Sequence, residues 1–217
     1  MDASVRTRLS RDDRMEQTLE AAHSLFAERG YAAVTMDEIA ASIGVTKPLL
    51  YNYFGNKERL YIACLEQAGD ALIATIAESV GETANPGDAL GAGVRAFFTF
   101  LDTDRAAWAV LFDETLPHGG EVFDRVAAYR GQIVDLVSAS LLAQMPERSR
   151  RAAKVEVEAL STALLGASEA LARWWLRTEA ISAEDAAELL ISTVEPGLRT
   201  RSASPSTSNP QGGPTPR

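Results

Sequence analysis

The chain has 217 residues, of which 46% are apolar and 24% are charged. This length suits one large domain or two modest ones, and the composition excludes wholesale disorder and fibrous repeats. No uninterrupted run approaches the roughly 18 apolar residues that a bilayer-spanning helix needs, and the first residues lack the apolar stretch of a secretory signal. We therefore expect a cytoplasmic protein with no membrane partner.

The residues that most often carry metal or redox chemistry are scarce. The chain has one cysteine, Cys64, and two histidines, His23 and His118. These exclude an intrachain disulfide and a thiolate metal cage, and they are too few for most histidine metal sites. The sequence also lacks the motifs of serine hydrolases, phosphate-binding glycine loops, metalloproteases and dinucleotide-binding folds. We expect no cofactor, no metal and no enzymatic activity.

The acidic charge is unevenly distributed along the chain. The net charge is −9, of which residues 1–60 contribute −1 and residues 61–217 contribute −8. Arg6, Arg8 and Arg11 make the beginning of the chain locally basic. The charge pattern predicts a flexible basic arm over residues 1–9, followed by a body whose second part is acidic.

The residue pattern indicates an all-α fold. Alternating β-branched runs are absent, whereas Ala, Leu, Glu and Arg recur at helical spacing. A first helix is predicted to begin after Ser10, its N-cap, and to end at Arg29-Gly30. A long fourth helix is predicted to begin after Asn56, because apolar residues then recur at every fourth position.

Two short helices are predicted between these. Thr35 and Glu38 form a capping box for a helix over residues 36–42, and Gly44 turns the chain after it. Thr46 can cap a third helix that has Pro48 in its first turn and ends near residue 54.

The second part of the chain contains further predicted helices. They cover residues 89–101, 105–116, 121–144 and 147–177, and a last helix follows Ser182. Pro196 and Gly197 should end that last helix. Residues 200–217 are rich in Ser, Pro, Thr and Gly and are predicted to form a flexible tail.

The spacing of three residues near the N-terminus predicts a helix-turn-helix. The motif needs a small residue where its helices approach, a glycine four residues later in the turn, and an apolar residue six further on. Ala40, Gly44 and Leu50 meet that spacing, and Ile39 and Phe54 complete the predicted core. Two ordinary packed helices would explain the amphipathic pattern but not the combination of spacing and caps.

The stretch from Thr35 to Leu60 resembles the DNA-binding domain of the tetracycline-repressor (TetR) family. The resemblance is close over about residues 11–65 and includes Leu-Tyr-x-Tyr-Phe at 50–54 and Lys-Glu at 57–58. The remaining chain is similar to the family only in the number and order of its helices. The resemblance implies a DNA-binding domain over residues 10–60 and a helical effector-binding and dimerisation domain over residues 61–199.

The third predicted helix is expected to contact DNA. Burial of Leu50 and Phe54 would turn the opposite side of this helix toward a major groove. The side chains expected to read bases there are Thr46, Lys47, Pro48 and Asn52.

The resemblance also implies contacts to DNA phosphates. These are assigned to Tyr51, Tyr53 and Lys57. For the two tyrosines, packing in the core with an exposed hydroxyl is the alternative. The arm residues Arg6, Arg8 and Arg11 are expected to neutralise phosphates or to enter an adjacent minor groove, and a solvated arm is the alternative.

A regulator that reads two half-sites needs two copies of its DNA-binding domain. The helix predicted over residues 147–177 has a stripe of small residues that would let a second helix approach closely. The expected dimer-interface residues, with two leucines of the last helix, are Ala163, Gly166, Ala167, Ala170, Leu189 and Leu190. Packing within one protomer is the alternative.

Aromatic residues are concentrated in the second part of the chain. As a set they suit an apolar effector pocket, although core packing is the alternative for each one. The expected pocket residues are Phe97, Phe98, Trp108, Phe112, Tyr129, Trp174 and Trp175.

These observations and the resemblance together predict a ligand-responsive transcriptional regulator. We expect a repressor that binds a palindromic operator as a homodimer and is released by a small apolar or aromatic effector. The alternative is a helical ligand-binding or protein-interaction module without operator-specific DNA binding.

Overall fold

The computed structural model describes residues 10–113, 115–116 and 118–203, and this part of the chain contains nine α-helices and no β-strand. The helices are α1 (Arg11–Ala33), α2 (Met36–Ser42), α3 (Lys47–Phe54), α4 (Lys57–Gly81), α5 (Ala89–Thr103), α6 (Arg105–Leu111), α7 (Glu121–Ala143), α8 (Glu147–Thr178) and α9 (Ala183–Ala203). A 3-10 turn, Pro86–Asp88, precedes α5. The all-α expectation is confirmed.

The first two helices are capped by the side chains that the sequence indicates. Ser10 Oγ accepts the N–H of Asp13, and the Asp13 carboxylate accepts the N–H of Ser10. Thr35 and Glu38 form the same reciprocal pair at the start of α2. Within α1, Gly30 has a φ of 75° and breaks the helical geometry at the predicted stop, although three more helical residues follow it.

The cap predicted for α3 is only partly correct. The helix does begin after Thr46, but the Thr46 side chain makes no capping hydrogen bond. The donors that such a cap would use are missing or engaged, because Pro48 has no N–H and the N–H of Leu49 bonds to the Thr46 carbonyl at 3.0 Å.

The helix α4 is shared by the two parts of the molecule. It packs against α1 and α3 on the N-terminal side and against α5, α6 and α7 in the body. The residues spaced every four positions along it are all buried, as predicted: Leu60, Cys64, Ala68, Leu72 and Ile76. In the described part of the chain, α4 is also long and apolar enough to cross a membrane, but half of its apolar stretch is buried inside the fold.

The body is a bundle in which α5 lies against both α4 and α9, and α7 lies against both α4 and α8. The short helix α6 packs mainly on α1. This contact places the end of α6 beside the N-terminal helices, so α6 connects the body to them.

Two predicted helix ends are wrong. The helix α6 ends at Leu111 rather than at residue 116. The reason is that the Asp113 carboxylate bonds to the backbone N–H of Tyr31 and of Thr115, both at 2.7 Å, which holds the chain away from a helical path.

The last helix does not end at Pro196 and Gly197 but continues to Ala203. A proline removes a single hydrogen bond from a helix, and water can satisfy the freed carbonyl where the helix is exposed, as it is at Ser192 and Pro196. The tail predicted over 200–217 is therefore helical up to residue 203, and residues 204–217 lie outside the described residues.

Candidate functional site

The α2–turn–α3 unit has the core predicted for a helix-turn-helix. Ile39 and Leu50 are fully buried, and Ala40 and Phe54 are almost so. Gly44 has a φ of 66°, a left-handed conformation that glycine adopts without strain. The five residues chosen from spacing thus hold the two helices together.

The opposite face of α3 is open to solvent. Thr46, Lys47, Pro48 and Asn52 are all exposed. Lys47 Nζ donates to Asp37 Oδ2 at 2.9 Å, and this hydrogen bond raises the pKa of Lys47. The residues predicted to read bases therefore form one continuous surface, on which Lys47 is charged.

The two tyrosines predicted to contact phosphates differ in position. Tyr51 is 41% exposed, whereas Tyr53 is half-buried. The Arg11 guanidinium lies 5.7 Å from the centre of the Tyr53 ring. Arg11 is the first residue of α1, so it is not part of a flexible arm. The other two predicted arm residues, Arg6 and Arg8, lie outside the described residues.

Lys57 faces inward, which the sequence did not indicate. Its ammonium donates to the backbone carbonyls of Tyr31 and Val34 at 2.8 and 3.0 Å. It also lies 4.3 Å from the centre of the Tyr31 ring. Two of its three N–H groups are engaged within the protein, so Lys57 ties the start of α4 to the segment between α1 and α2, and its contact with a phosphate stays a prediction.

A cluster of contacts, which we call the Tyr31 junction, joins the N-terminal helices to the body. It consists of Tyr31, Lys57, Tyr61, Val110 and Asp113. Tyr61 is fully buried, its ring lies 4.9 Å from that of Tyr31, and its hydroxyl donates to Val110 O at 2.7 Å. Burial raises the pKa of Tyr61 far above its usual value, so the hydroxyl remains a donor. No sequence motif pointed to Asp113, because its partner at Tyr31 is a backbone N–H.

The seven aromatic residues predicted to line one pocket do not come together. Phe98 and Trp175 are core residues whose rings lie 5.8 Å apart. Trp174 is 37% exposed on the outer side of α8. Phe97 lines one cleft and Phe112 and Tyr129 line another, whereas Trp108 lines neither of these two. The prediction was wrong because helical spacing identifies the face of each helix but not which faces meet.

The first cleft lies among α4, α5, α7 and α8 and has a volume of about 520 Å³ including its mouth. Of its fourteen lining residues, Phe97 is the only aromatic one, and Ser140 and Ser168 are the only ones with polar side chains. Most of the others are Ala, Val, Leu and Ile. This lining is typical of a site for an aliphatic ligand.

The second cleft, of about 300 Å³, adjoins the first at Ile133 and lies toward the end of α6. Ile133 lines both clefts, and the second cleft contains the predicted residues Phe112 and Tyr129. Phe112 stacks on Trp108 with 4.1 Å between ring centres. Tyr129 can approach α4 only because Gly69 has no side chain, since a Cβ there would lie 2.7 Å from the ring.

Arg130 brings a positive charge to the second cleft. Its guanidinium donates to both carboxylate oxygens of Glu169 at 2.9 Å and lies 5.7 Å from the centre of the Phe112 ring. Its charge is thus balanced in the protein alone.

The small residues predicted at a dimer interface lie on the solvent side of α8. Ala163, Gly166, Ala167 and Ala170 are exposed, and Leu189 on α9 is 52% exposed. Leu190 is buried against its own protomer, so its assignment to the interface was wrong. Adjacent residues on a helix differ in direction by about 100°, and α9 uses the Leu190 face to pack on α5.

Cys64 is a core residue without a reactive environment. It is fully buried, and burial raises its pKa to about 12. In the part of the chain that the structure describes, no three His, Cys, Asp or Glu side chains are grouped as metal ligands.

The sequence matches two family models. "Bacterial regulatory proteins, tetR family" covers residues 19–64, and "Tetracyclin repressor-like, C-terminal domain" covers residues 86–195. The HTH-type transcriptional activator FasR of Mycolicibacterium smegmatis is 33% identical over 172 residues, which cover 79% of this chain and 76% of that protein. The chain belongs to the TetR family.

Solved structures agree with this assignment. A TetR-like transcriptional regulator from Rhodococcus sp. RHA1 is 30% identical, with a TM-score of 0.73 over 88% of this chain and 99% of that one. AibR, solved in complex with isovaleryl coenzyme A and operator DNA, shares the fold at 22% identity, with a TM-score of 0.65 over 84% of this chain and 98% of that one. The protein is a DNA-binding transcriptional regulator of the TetR family, as predicted, and its relatives are regulators rather than enzymes.

In this TetR-family protein, Lys57→Ala should lower the free energy of unfolding by about 1–3 kcal/mol, because two partly buried carbonyls lose their donor. Lys47→Ala is the matched control, since it removes only an exposed ion pair and should cost less than about 1 kcal/mol. Urea denaturation followed by circular dichroism measures both. Equal losses in the two variants would show that the inward position of Lys57 does not stabilise the fold.

Proposed function

We propose that the protein acts in the cytoplasm as a homodimer that binds an inverted-repeat operator through α3 and is released by an aliphatic effector held in the two clefts. The observation on which this rests is the exposed α3 face. It presents hydrogen-bonding and apolar groups to solvent while Leu50 and Phe54 fix the helix from behind. A helix presented in this way fits a major groove.

The chemistry of the α3 face suits direct reading of bases. A lysine can donate to guanine O6 and N7, an asparagine can pair with adenine N6 and N7, and Pro48 can contact a thymine methyl group. When Lys47 binds a base, it must break its hydrogen bond with Asp37 or bond to both groups. The negative charge of Asp37 would disfavour contact between Lys47 and a phosphate. Tyr51, exposed beside Lys47, is placed to donate to a phosphate.

Asn52→Ala should weaken binding to the preferred operator by about 1–3 kcal/mol and relax the preference at one base position, because a base contact is lost. Tyr51→Phe should weaken binding to matched and mismatched duplexes alike, since it removes only a phosphate contact. Operators are first selected from a random duplex pool, and affinities are then measured by fluorescence anisotropy. Gln132→Ala, an exposed amide on α7, is the control. A uniform loss for Asn52→Ala would contradict the base-reading role.

The outer face of α8 supports dimerisation. Val155, Ala159, Gly166 and Ala170 recur at intervals that place them on one side of the helix, and all are exposed. Val155 is 79% exposed and adds a large apolar side chain to this stripe. A second copy of this face would bury the apolar stripe, and the small side chains allow close helix approach.

Gly166→Trp should give monomers that bind the operator weakly. A Cβ at Gly166 meets no atom within 4 Å, so the protomer itself can accept the larger side chain. Gly131→Trp on α7 is the matched control, because that glycine is also helical, exposed and free of neighbours. Analytical ultracentrifugation measures both. A dimeric Gly166→Trp protein with unchanged operator affinity would exclude this interface.

The cleft walls favour an aliphatic effector over an aromatic one. The first cleft is lined largely by branched aliphatic side chains, and Arg130 lines the adjoining second cleft. An aliphatic acid or acyl thioester would match both, with its chain among the apolar residues and its polar end near Arg130, which would then be shared between that end and Glu169. The structure of AibR, described with isovaleryl coenzyme A, is consistent with such a ligand in a protein of the same fold.

The Tyr31 junction offers a route from the clefts to DNA. Phe112 lines the second cleft, and the next residue, Asp113, accepts the backbone N–H of Tyr31. A ligand that moves Phe112 would disturb this hydrogen bond and with it the contact between α1 and α6. The two DNA-facing helices of a dimer would then change their separation, which lowers affinity for a fixed half-site spacing.

Saturated fatty acids and their coenzyme A thioesters should include a compound that binds and releases operator DNA. Effector and operator should each weaken the affinity of the other by the same factor, about 5- to 150-fold. Trp108 fluorescence should report binding because its ring stacks on Phe112. The cleft-filling variant Val137→Trp should lose the ligand and keep the operator, and Gly131→Trp is the control for an added tryptophan. Tight binding that leaves operator affinity unchanged would contradict release by effector.

We propose repression as the sign of regulation, and activation is the second candidate. The relatives include proteins named as repressors, whereas FasR is named as an activator. Deleting the gene should raise transcription from a promoter that contains the selected operator if the protein represses it. A fall in transcription would identify an activator.

A further inference from the structure

Ser140 differs from the other polar residue of the first cleft in its hydrogen bonding. Its hydroxyl oxygen is buried and has no hydrogen-bond partner among the residues that the structure describes. A buried hydroxyl without a partner is unfavourable, and serines within helices usually bond to the carbonyl four residues earlier. Ser168, the other polar lining residue, does so, donating to Leu164 O at 2.9 Å.

The position of Ser140 limits what could satisfy it. Ile133, where the two clefts meet, and Ser140 lie on the same face of α7 and both line the first cleft. They are seven positions apart, which corresponds to about two helical turns, or roughly 10 Å along the helix. A chain that enters past Ile133 therefore reaches Ser140 only with its far end, and the side chains on the way are Leu136 and Val137.

We propose that Ser140 determines effector specificity by selecting an aliphatic ligand with an oxygen function. That function is a hydroxyl or a carbonyl, and it lies at the end of the chain that occupies the first cleft. This inference rests on the proposed function, in which an aliphatic effector occupies the clefts. A serine hydroxyl both donates and accepts, so it can pair with either oxygen group. A plain alkyl chain displaces solvent from Ser140 but leaves the hydroxyl unpaired, and sites with a buried polar group discriminate against such ligands.

The test compares wild type, Ser140→Ala and Ser168→Ala. Fatty acids from octanoic to hexadecanoic acid and their terminal-hydroxy counterparts are titrated into each protein by calorimetry. In wild type, a hydroxy acid of matching length should bind about threefold to tenfold more tightly than it does to Ser140→Ala. The plain acid should bind to Ser140→Ala at least as tightly as to wild type. Ser168→Ala is the matched control and should retain the preference for the hydroxy acid.

A preference that is unchanged in Ser140→Ala, or is lost equally in Ser168→Ala, would overturn the role of Ser140. If neither series binds to wild-type protein, the inference also fails. Operator binding by the same samples then shows whether only the effector class is wrong or the DNA-binding function as well. Ser140→Ala should fold normally, because alanine favours the helix and removes an unpaired hydroxyl. Thermal unfolding of each variant checks this before titration.

Discussion

The buried side chain of Tyr61 fixes the DNA-facing helices relative to the body. Its ring lies 4.9 Å from the rings of both Phe26 and Tyr31, and its hydroxyl reaches the Val110 carbonyl on α6. Because α4 also contributes Leu72 and Ile76 to the clefts, one helix carries both part of the junction and part of the cleft walls. Any movement of α4 relative to α6 must break or re-form this hydrogen bond in a buried environment, which favours discrete positions over gradual bending.

The charges around Tyr31 add a second constraint. Lys57 holds the Tyr31 carbonyl and Asp113 holds the Tyr31 N–H, so the backbone of one residue is fixed both from the start of α4 and from the segment that follows α6. Burial and the nearby Glu58 raise the pKa of Tyr31, which keeps its hydroxyl neutral beside these charges. The segment after Gly30 is thereby held by the body, although it leads directly into the helix-turn-helix. A signal that passes through Asp113 needs no movement of the α2–α3 core.

The first cleft and the exposed outer face use opposite sides of α8. On α8, Leu164, Leu165 and Ser168 line the first cleft, while Ala163, Gly166 and Ala167 face solvent. A dimer partner on the outer face would hold α8 still, so ligand entry would act mainly on α4, α6 and α7. This division would let the proposed effector binding and dimerisation use one helix without competing for the same residues.

Local features of the sequence predicted most of the fold and the DNA-facing surface. Caps such as Thr35–Glu38, the turn at Gly44 and the pair Leu50 and Phe54 act over a few residues, so their spacing specifies both the helix boundaries and the side of α3 that remains exposed. The features that the sequence did not indicate mostly involve contacts between distant residues, whereas the missing Thr46 cap and the continuation of α9 past Pro196 are local. Lys57 turns toward carbonyls at positions 31 and 34, Asp113 ends α6 by bonding to Tyr31, and Phe98 and Trp175 meet in the core rather than in a pocket. Only the packing of helices against one another determines which faces meet, and the amphipathic pattern of each helix is satisfied equally by a core, a cleft or a partner.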